Sequence, residues 1–219
     1  MHINSRIYVA GHTGFIGSAL VRNLKAKGYK VLILRTHKEL DLTDCSRTDK
    51  LFKDSRPEYV FIMAAKVGGI YANNTYPADF LFQNLAIQTN IIRSAHKYRV
   101  KKLLFPASAC IYPKYCPQPM KESHLLTGPV EPTSEPFAIA KIAGIKMCQS
   151  YNRQYKTDFI CVVPATVYGP GDHFGKEGHV VAGLIERANL AAAGQGRCKF
   201  TVWGTGAPKR ELMYIDDAA

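Results

Sequence analysis

The run Gly11-His12-Thr13-Gly14-Phe15-Ile16-Gly17 limits what this chain can fold into more than any other stretch. It follows a short β-rich run at residues 6–10 (RIYVA) and opens an amphipathic stretch reaching about Lys27, where Gly28 reads as a helix stop. Glycines so spaced permit a tight turn, close backbone approach to a pyrophosphate, and close packing of helix on strand. The helix N-terminus adds N–H groups and positive potential at the same place. A glycine trio alone is equally a structural turn; placed between a first strand and a first helix, it points to a bound dinucleotide.

The rest of the chain repeats the alternation. Strands are expected at 31–34, 59–63, 103–106 and 159–163, and long helices at 78–98 and 137–155. In the first of these helices the apolar residues fall at 81, 82, 85, 91, 92 and 95. Such alternation implies an α/β fold, a doubly wound parallel sheet of Rossmann type with helices on both faces. The proline-rich stretch 113–136 reads as a long ordered loop over a site. Near the end, 211–215 reads as a short strand and Asp216-Asp217 as a helix N-cap and first turn. The chain stops at Ala219 before a helix can form, which reads as a truncated chain.

With 219 residues, 47% hydrophobic and 21% charged, the chain has room for one substantial core, or one domain and part of another. No apolar run approaches the roughly 18 residues that span a bilayer. The N-terminal Met1-His2-Ile3-Asn4-Ser5-Arg6 lacks a signal-peptide segment, so the expected location is cytoplasmic, with no membrane partner. The net charge of +12 has two readings. One is nucleic-acid binding, but the basic residues are scattered, without a block or an aromatic-interleaved patch. The other, a basic surface with a site for anionic nucleotides, is favoured, and no nucleic-acid partner is expected. The six cysteines (45, 110, 116, 148, 161, 198) contain no C-x-x-C pair and no zinc spacing. They read as reduced thiols, mostly core filler, and no metal site is expected.

The second strand ends Leu34-Arg35-Thr36-His37-Lys38, with no acid at its tip. An acid there would hold the ribose hydroxyls of NAD, whereas basic residues accommodate the 2′-phosphate of NADP. NADP is therefore the expected cofactor. Asp41-Leu42 just beyond either approach the adenine or cap a helix beginning at Ser46.

Three further segments accompany these motifs: Ala64-Ala65-Lys66-Val67-Gly68-Gly69-Ile70, Ser108-Ala109-Cys110-Ile111-Tyr112-Pro113 and Tyr168-Gly169-Pro170. With them the chain resembles, from Arg6 to its last residue, the GDP-L-fucose synthase family of extended short-chain dehydrogenases/reductases. The resemblance implies a Rossmann domain over 1–178 carrying NADPH, and over 179–219 the start of a smaller, truncated substrate-binding portion. It implies a GDP-sugar substrate, GDP-4-keto-6-deoxy-D-mannose, epimerised at C3 and C5 and then reduced by hydride at C4 to GDP-L-fucose. Carried over by position, Ser108 would hydrogen-bond the C4 carbonyl, and Lys141 would bind the nicotinamide ribose. Cys110 matches the epimerisation base and His179 its acid partner. Arg187, Trp203 and Arg210 match residues that contact the GDP-sugar. The loop residues Gly11, His12, Thr13, Gly14, Phe15, Ile16 and Gly17 would cradle the cofactor. Arg35, His37, Asp41 and Leu42 would hold its adenosine end, with Ala64, Ala65, Pro164, Val167, Lys141 and His179 along the rest. Singly, each catalytic candidate has a plainer reading: a turn serine, a buried thiol, a surface histidine, a solvated lysine. Their joint occurrence in register favours the functional one. A thiol serves as such a base once nearby positive charge lowers its pKa.

Position 137 is where the chain departs most. Residues four apart on a helix share a face, so position 137 and Lys141 point the same way. In the family a tyrosine there pairs with the lysine, whose ammonium favours the phenolate. Phe137 has the ring and no proton to give. Thr13 and His37 stand where the resemblance implies arginines on the 2′-phosphate, with Arg35 and Lys38 available instead, and Pro164-Ala165-Thr166-Val167 alters the floor of the nicotinamide site. General acid/base catalysis by one side chain is worth about 10²–10⁴-fold, so C4 reduction is expected to be impaired, by Phe137 and by the truncation. The alternative is a non-catalytic nucleotide-binding or dimerising scaffold on the same fold. The resemblance also implies a homodimer packed through the helices at 78–98 and 137–155.

Overall fold

Four apolar residues form the first strand, β1 (Ile7–Ala10), and all four are buried, because helices cover both faces of the sheet around it. In the computed structural model, every residue is described except 176, 177, 195–198, 201, 203 and 208. Strand β1 lies between β2 (Leu32–Ile33) and β3 (Tyr59–Ile62), and β4 (Lys102–Pro106) and β5 (Phe159–Val162) continue the sheet. Every pairing is parallel, in the order β2-β1-β3-β4-β5. The doubly wound parallel sheet expected from the alternation is thus present, with each strand within one residue of its expected bounds.

Alternation of side chains along β1 divides the core. Ile7 and Val9 pack with Leu20, Val21 and Leu24 of α1 (Phe15–Ala26). Tyr8 and Ala10 belong to the opposite, larger cluster. It also holds Phe52 of α2 (Cys45–Ser55), Ile91 and Ile92 of α4 (Pro77–Lys97), and Ile142 and Ile145 of α5 (Glu135–Tyr155). Between β3 and α4 runs a short α3 (Ile70–Thr75). The strand order reverses between β1 and β3, so a crevice opens at the carboxyl ends of those strands, where open α/β sheets bind ligands.

Several details differ from expectation. Helix α4 does not bury all of its apolar periodicity: Phe82 is exposed, while Asn84, Gln88 and Asn90 are buried. Each of these polar side chains is occupied by backbone. Asn84 Nδ2 donates to the Lys66 carbonyl (3.0 Å), Gln88 Nε2 to that of Ala140 (2.7 Å), and Asn90 Nδ2 to that of Leu42 (2.9 Å). Hydrogen bonding, not hydropathy, sets which face is inside. Helix α2 is capped by Asp44, which accepts from the Arg47 N–H at 2.9 Å, so Asp41 is not its cap.

After β5 the chain forms β6 (Thr166–Tyr168), α6 (Val180–Ala193), β7 (Leu212–Tyr214) and α7 (Ile215–Ala218). Strands β6 and β7 pair in parallel. The expectation that no helix forms before Ala219 is corrected by α7. Its cap is Tyr214, with Asp216 and Asp217 inside its first turn. Ile215 is fully buried, and Arg22 of α1 pairs with Asp216 at 2.9 Å, so packing supports a turn too short to stand alone. The cysteines are also less buried than expected: of the five described, all free, only Cys148 is buried. Cys198 lies outside the described residues. Among those residues no helix is long and apolar enough to cross a membrane. No group of His, Cys, Asp or Glu among them is arranged to hold a metal ion.

Candidate functional site

A cavity of about 900 Å³ opens at the carboxyl ends of the central strands. Its floor is the glycine turn: Gly11, Thr13, Gly14, Phe15 and Ile16 line it. Gly11 has φ +77°, and a Cβ there would sit 2.5 Å from the Ala64 nitrogen, so the β1 turn can lie against the end of β3 only as glycine. At the start of α1, Gly14 provides no side-chain cap and the first turn holds no acid. The N–H groups and positive end of α1 are left for an anion, which fits a pyrophosphate. His12 and Gly17, both expected at the cofactor, do not line the cavity; His12 lies in the turn and Gly17 is buried in the first turn of α1.

At one end Arg35 and His37 line the wall, beside Asp41, Leu42 and Thr43. Asp41 accepts from the Thr43 N–H and hydroxyl at 2.9 and 2.8 Å, and these bonds hold its carboxyl below the usual range. Glu39 is close by, but its carboxylate is tied to the Thr36 N–H and hydroxyl (2.8 and 2.7 Å) and does not line the cavity. The basic residues Arg35 and His37 therefore face the cavity at this end while Glu39 does not.

Toward the other end, β4 delivers Ser108 and Cys110, and α5 delivers Phe137 and Lys141, one turn apart on the same face. Lys141 is buried and its Nζ donates to the Pro106 carbonyl at 2.9 Å. That ammonium stands 4.7 Å from the Phe105 ring centre and 5.5 Å from the Phe137 ring centre. Burial pulls its pKa down to about 8, against the opposing pull of the Cys110 thiol. The expectation that nearby positive charge lowers the Cys110 thiol is not met. Burial pushes its thiol above the usual range, and the Ser108 hydrogen bond and the Lys141 charge offset this only in part. Ala64, Ala65, Pro164 and Val167 complete the wall, and His179 closes it. His179 is the N-cap residue of α6, and its Nδ1 lies 2.7 Å from Asp172 Oδ1.

Not every expected residue joins this cluster. Arg187, in α6, and Arg210 do not line the cavity; Arg210 Nη1 donates to the Lys209 carbonyl at 2.8 Å. Trp203 lies outside the described residues. The stretch 113–136 does not roof the cavity either, since Ser134 alone of it reaches the lining. The rest is folded on itself through the Lys114–Glu131 pair and the Cys116–His124 contact. Lys66, Asn73, Thr166 and His173 line the cavity without having been singled out. Lys66 belongs to the 64–70 segment and Thr166 to the 164–167 segment. Nothing local in the sequence marks Asp172 as the partner of His179.

A helix start framed by glycines at the switch point of a parallel sheet defines a dinucleotide-binding protein of the Rossmann class. More narrowly, the chain belongs to the NAD dependent epimerase/dehydratase family, whose sequence signature matches residues 7–219. It is 54% identical over 217 residues to the putative GDP-L-fucose synthase 2 of Arabidopsis thaliana, covering 99% of this chain and 66% of that protein. It is 52% identical over 215 residues to the GDP-L-fucose synthase of Escherichia coli (strain K12), covering 98% and 67%. Among solved structures it resembles a GDP-L-fucose synthetase from Naegleria fowleri bound to NADP, with TM-score 0.88 and 30% identity. That match covers 100% of this chain and 71% of the other. It also resembles MlghC, a GDP-mannoheptose C4 reductase from Campylobacter jejuni with NADP bound, with TM-score 0.90, 39% identity and coverage of 100% and 71%. The chain spans about two thirds of the length of the curated relatives it matches.

Proposed function

We propose that this chain is the nucleotide-binding and catalytic portion of an NADP-dependent enzyme that epimerises and reduces GDP-4-keto-6-deoxy-D-mannose toward GDP-L-fucose. The observation that carries this reading is the gathering of Ser108, Cys110, Lys141 and His179 around one cavity whose floor is the glycine turn. NADPH, when bound, supplies hydride for C4. The glycine turn and the N-terminus of α1 would hold its pyrophosphate, Arg35 and His37 its 2′-phosphate, and Asp41 and Leu42 its adenine. Lys141 would hold the nicotinamide ribose, and Ala64, Ala65, Pro164 and Val167 would flank the ring. Residues from 179 onward would begin the sugar-binding side; Arg187, Trp203 and Arg210 match family positions that contact the GDP-sugar, and neither Arg187 nor Arg210 lines the cavity here.

In this reading Ser108 donates to the C4 carbonyl, which acidifies the C3 and C5 protons. Cys110 removes one of them as a thiolate, and His179 returns a proton to the opposite face. Burial raises the Cys110 thiol, so the exchange rate climbs with pH through the ordinary thiol range and beyond it. Phe137 withholds the proton that reduction needs at the C4 oxygen, slowing that step by about 10²–10⁴-fold.

A second reading, a nucleotide-binding or dimerising scaffold without catalysis, is favoured by one observation: the Lys141 ammonium faces a phenyl ring and a backbone carbonyl instead of a phenol. One assay separates the two. The chain is incubated with NADPH and the keto sugar in deuterated water, and deuterium entry at C3 and C5 is followed beside cofactor oxidation. Entry with little oxidation supports the enzyme; bound NADPH with neither supports the scaffold.

A further inference from the structure

We infer that Asp172 is a positioning residue for His179, holding the imidazole proton on Nδ1 so that Nε2 is the nitrogen offered to the cavity. The inference rests on the proposed role of His179 in proton exchange and adds a residue to it.

The chain delivers Asp172 by a fixed route. The turn Gly169-Pro170-Gly171 follows β6, and the Asp172 N–H donates back to the Gly169 carbonyl at 3.3 Å. The side chain is then 3% exposed. Its Oδ1 takes two bonds, from the His173 N–H at 2.8 Å and from His179 Nδ1 at 2.7 Å. Its Oδ2 is buried and has no hydrogen-bond partner among the described residues. An ionised carboxylate only accepts, so the hydrogen shared with His179 belongs to Nδ1. A neutral imidazole carries one N–H and one lone pair, which places the lone pair on Nε2.

The surroundings of His179 agree with this division of labour. His179 occupies the N-cap of α6, yet its side chain accepts no helix N–H. The ring is instead held edge-on by Asp172, and the Phe15 ring lies beside it at 6.5 Å between centroids, tilted by 38°. An imidazole that lines a cavity and is held by a buried carboxylate through one nitrogen has its other nitrogen left for proton transfer. It can take a proton on Nε2 while the carboxylate balances the charge that results.

The test uses nitrogen-15 spectra of the histidine rings, with His179 assigned by loss of its signals in His179→Gln, alongside the deuterium-entry assay. In the unsubstituted chain the neutral ring is expected as the Nδ1–H tautomer, and a His179 found as Nε2–H overturns the inference. In Asp172→Ala the ring is expected to shift toward Nε2–H, with deuterium entry at C3 and C5 falling at least tenfold. An Asp172→Ala chain that keeps both the Nδ1–H tautomer and the full exchange rate also overturns it. Should that variant not fold, the tautomer in the unsubstituted chain decides alone. Should the unsubstituted chain show no exchange, the enzyme reading fails while the tautomer still tells whether Asp172 sets the ring.

Discussion

Lys141 sits in the interior with its ammonium on one backbone carbonyl and two phenyl rings, and among the described residues no carboxylate pairs with it. Burial lowers its pKa from 10.5 to about 8. Between those values the unfolded chain binds a proton that the folded chain has released, so stability gains with rising pH across about 8 to 10.5. Tyr8 and Cys110, both raised by burial, act in the opposite sense at high pH, so the lysine must be read by difference. Denaturant unfolding of the chain and of Lys141→Met should therefore diverge as pH rises through this window. The expected change is up to about 3 kcal/mol in favour of the unsubstituted chain. A constant difference from pH 8 to 10.5 would show that the amine is not held in this environment. At this scale the sequence showed that position 137 and Lys141 share a helix face, since that follows from spacing alone. It did not show that burial would outweigh the lysine's charge at Cys110, because desolvation belongs to the folded surroundings and not to the motif.

Helices α4 and α5 determine how closely the cavity-lining face of α5 approaches the sheet. Gly144 is the contact point: a Cβ there would strike the Phe105 ring of β4 and meet Gln88 Oε1 of α4 at 2.9 Å. Gly144→Ala should cost about 1–3 kcal/mol by overpacking, measured by chemical denaturation, and should displace Lys141, which lies one turn earlier. Stability equal to that of the unsubstituted chain would mean that α5 can retreat freely. The parallel sheet was legible because β1, β3, β4 and β5 are short apolar runs punctuated by turn residues. The inward face of α4 was only partly legible. Its Asn84, Gln88 and Asn90 look like solvent residues in a periodicity count, yet they bind the carbonyls of Lys66, Ala140 and Leu42 and so fix three segments next to the cavity. The short β6 and α7 depend on partners far along the chain, and such pairing leaves little local pattern.

For the molecule as a whole, the helix pair that supports the site also offers a surface. Ile139 of α5 is 42% exposed, a large apolar group on one of the two helices proposed to meet a second copy. Light scattering of the chain should report twice its own mass, and Ile139→Asp should return it to a single chain. A monomer at all concentrations would remove the dimer from the account. The central proposal is narrower: the proposed site lacks a proton donor at position 137. The direct measurement is the rate of NADPH oxidation with GDP-4-keto-6-deoxy-D-mannose for the chain and for Phe137→Tyr. The account predicts that the phenol raises this rate by about 10²–10⁴-fold while deuterium entry at C3 and C5 stays unchanged. Equal oxidation rates in the two proteins would contradict it.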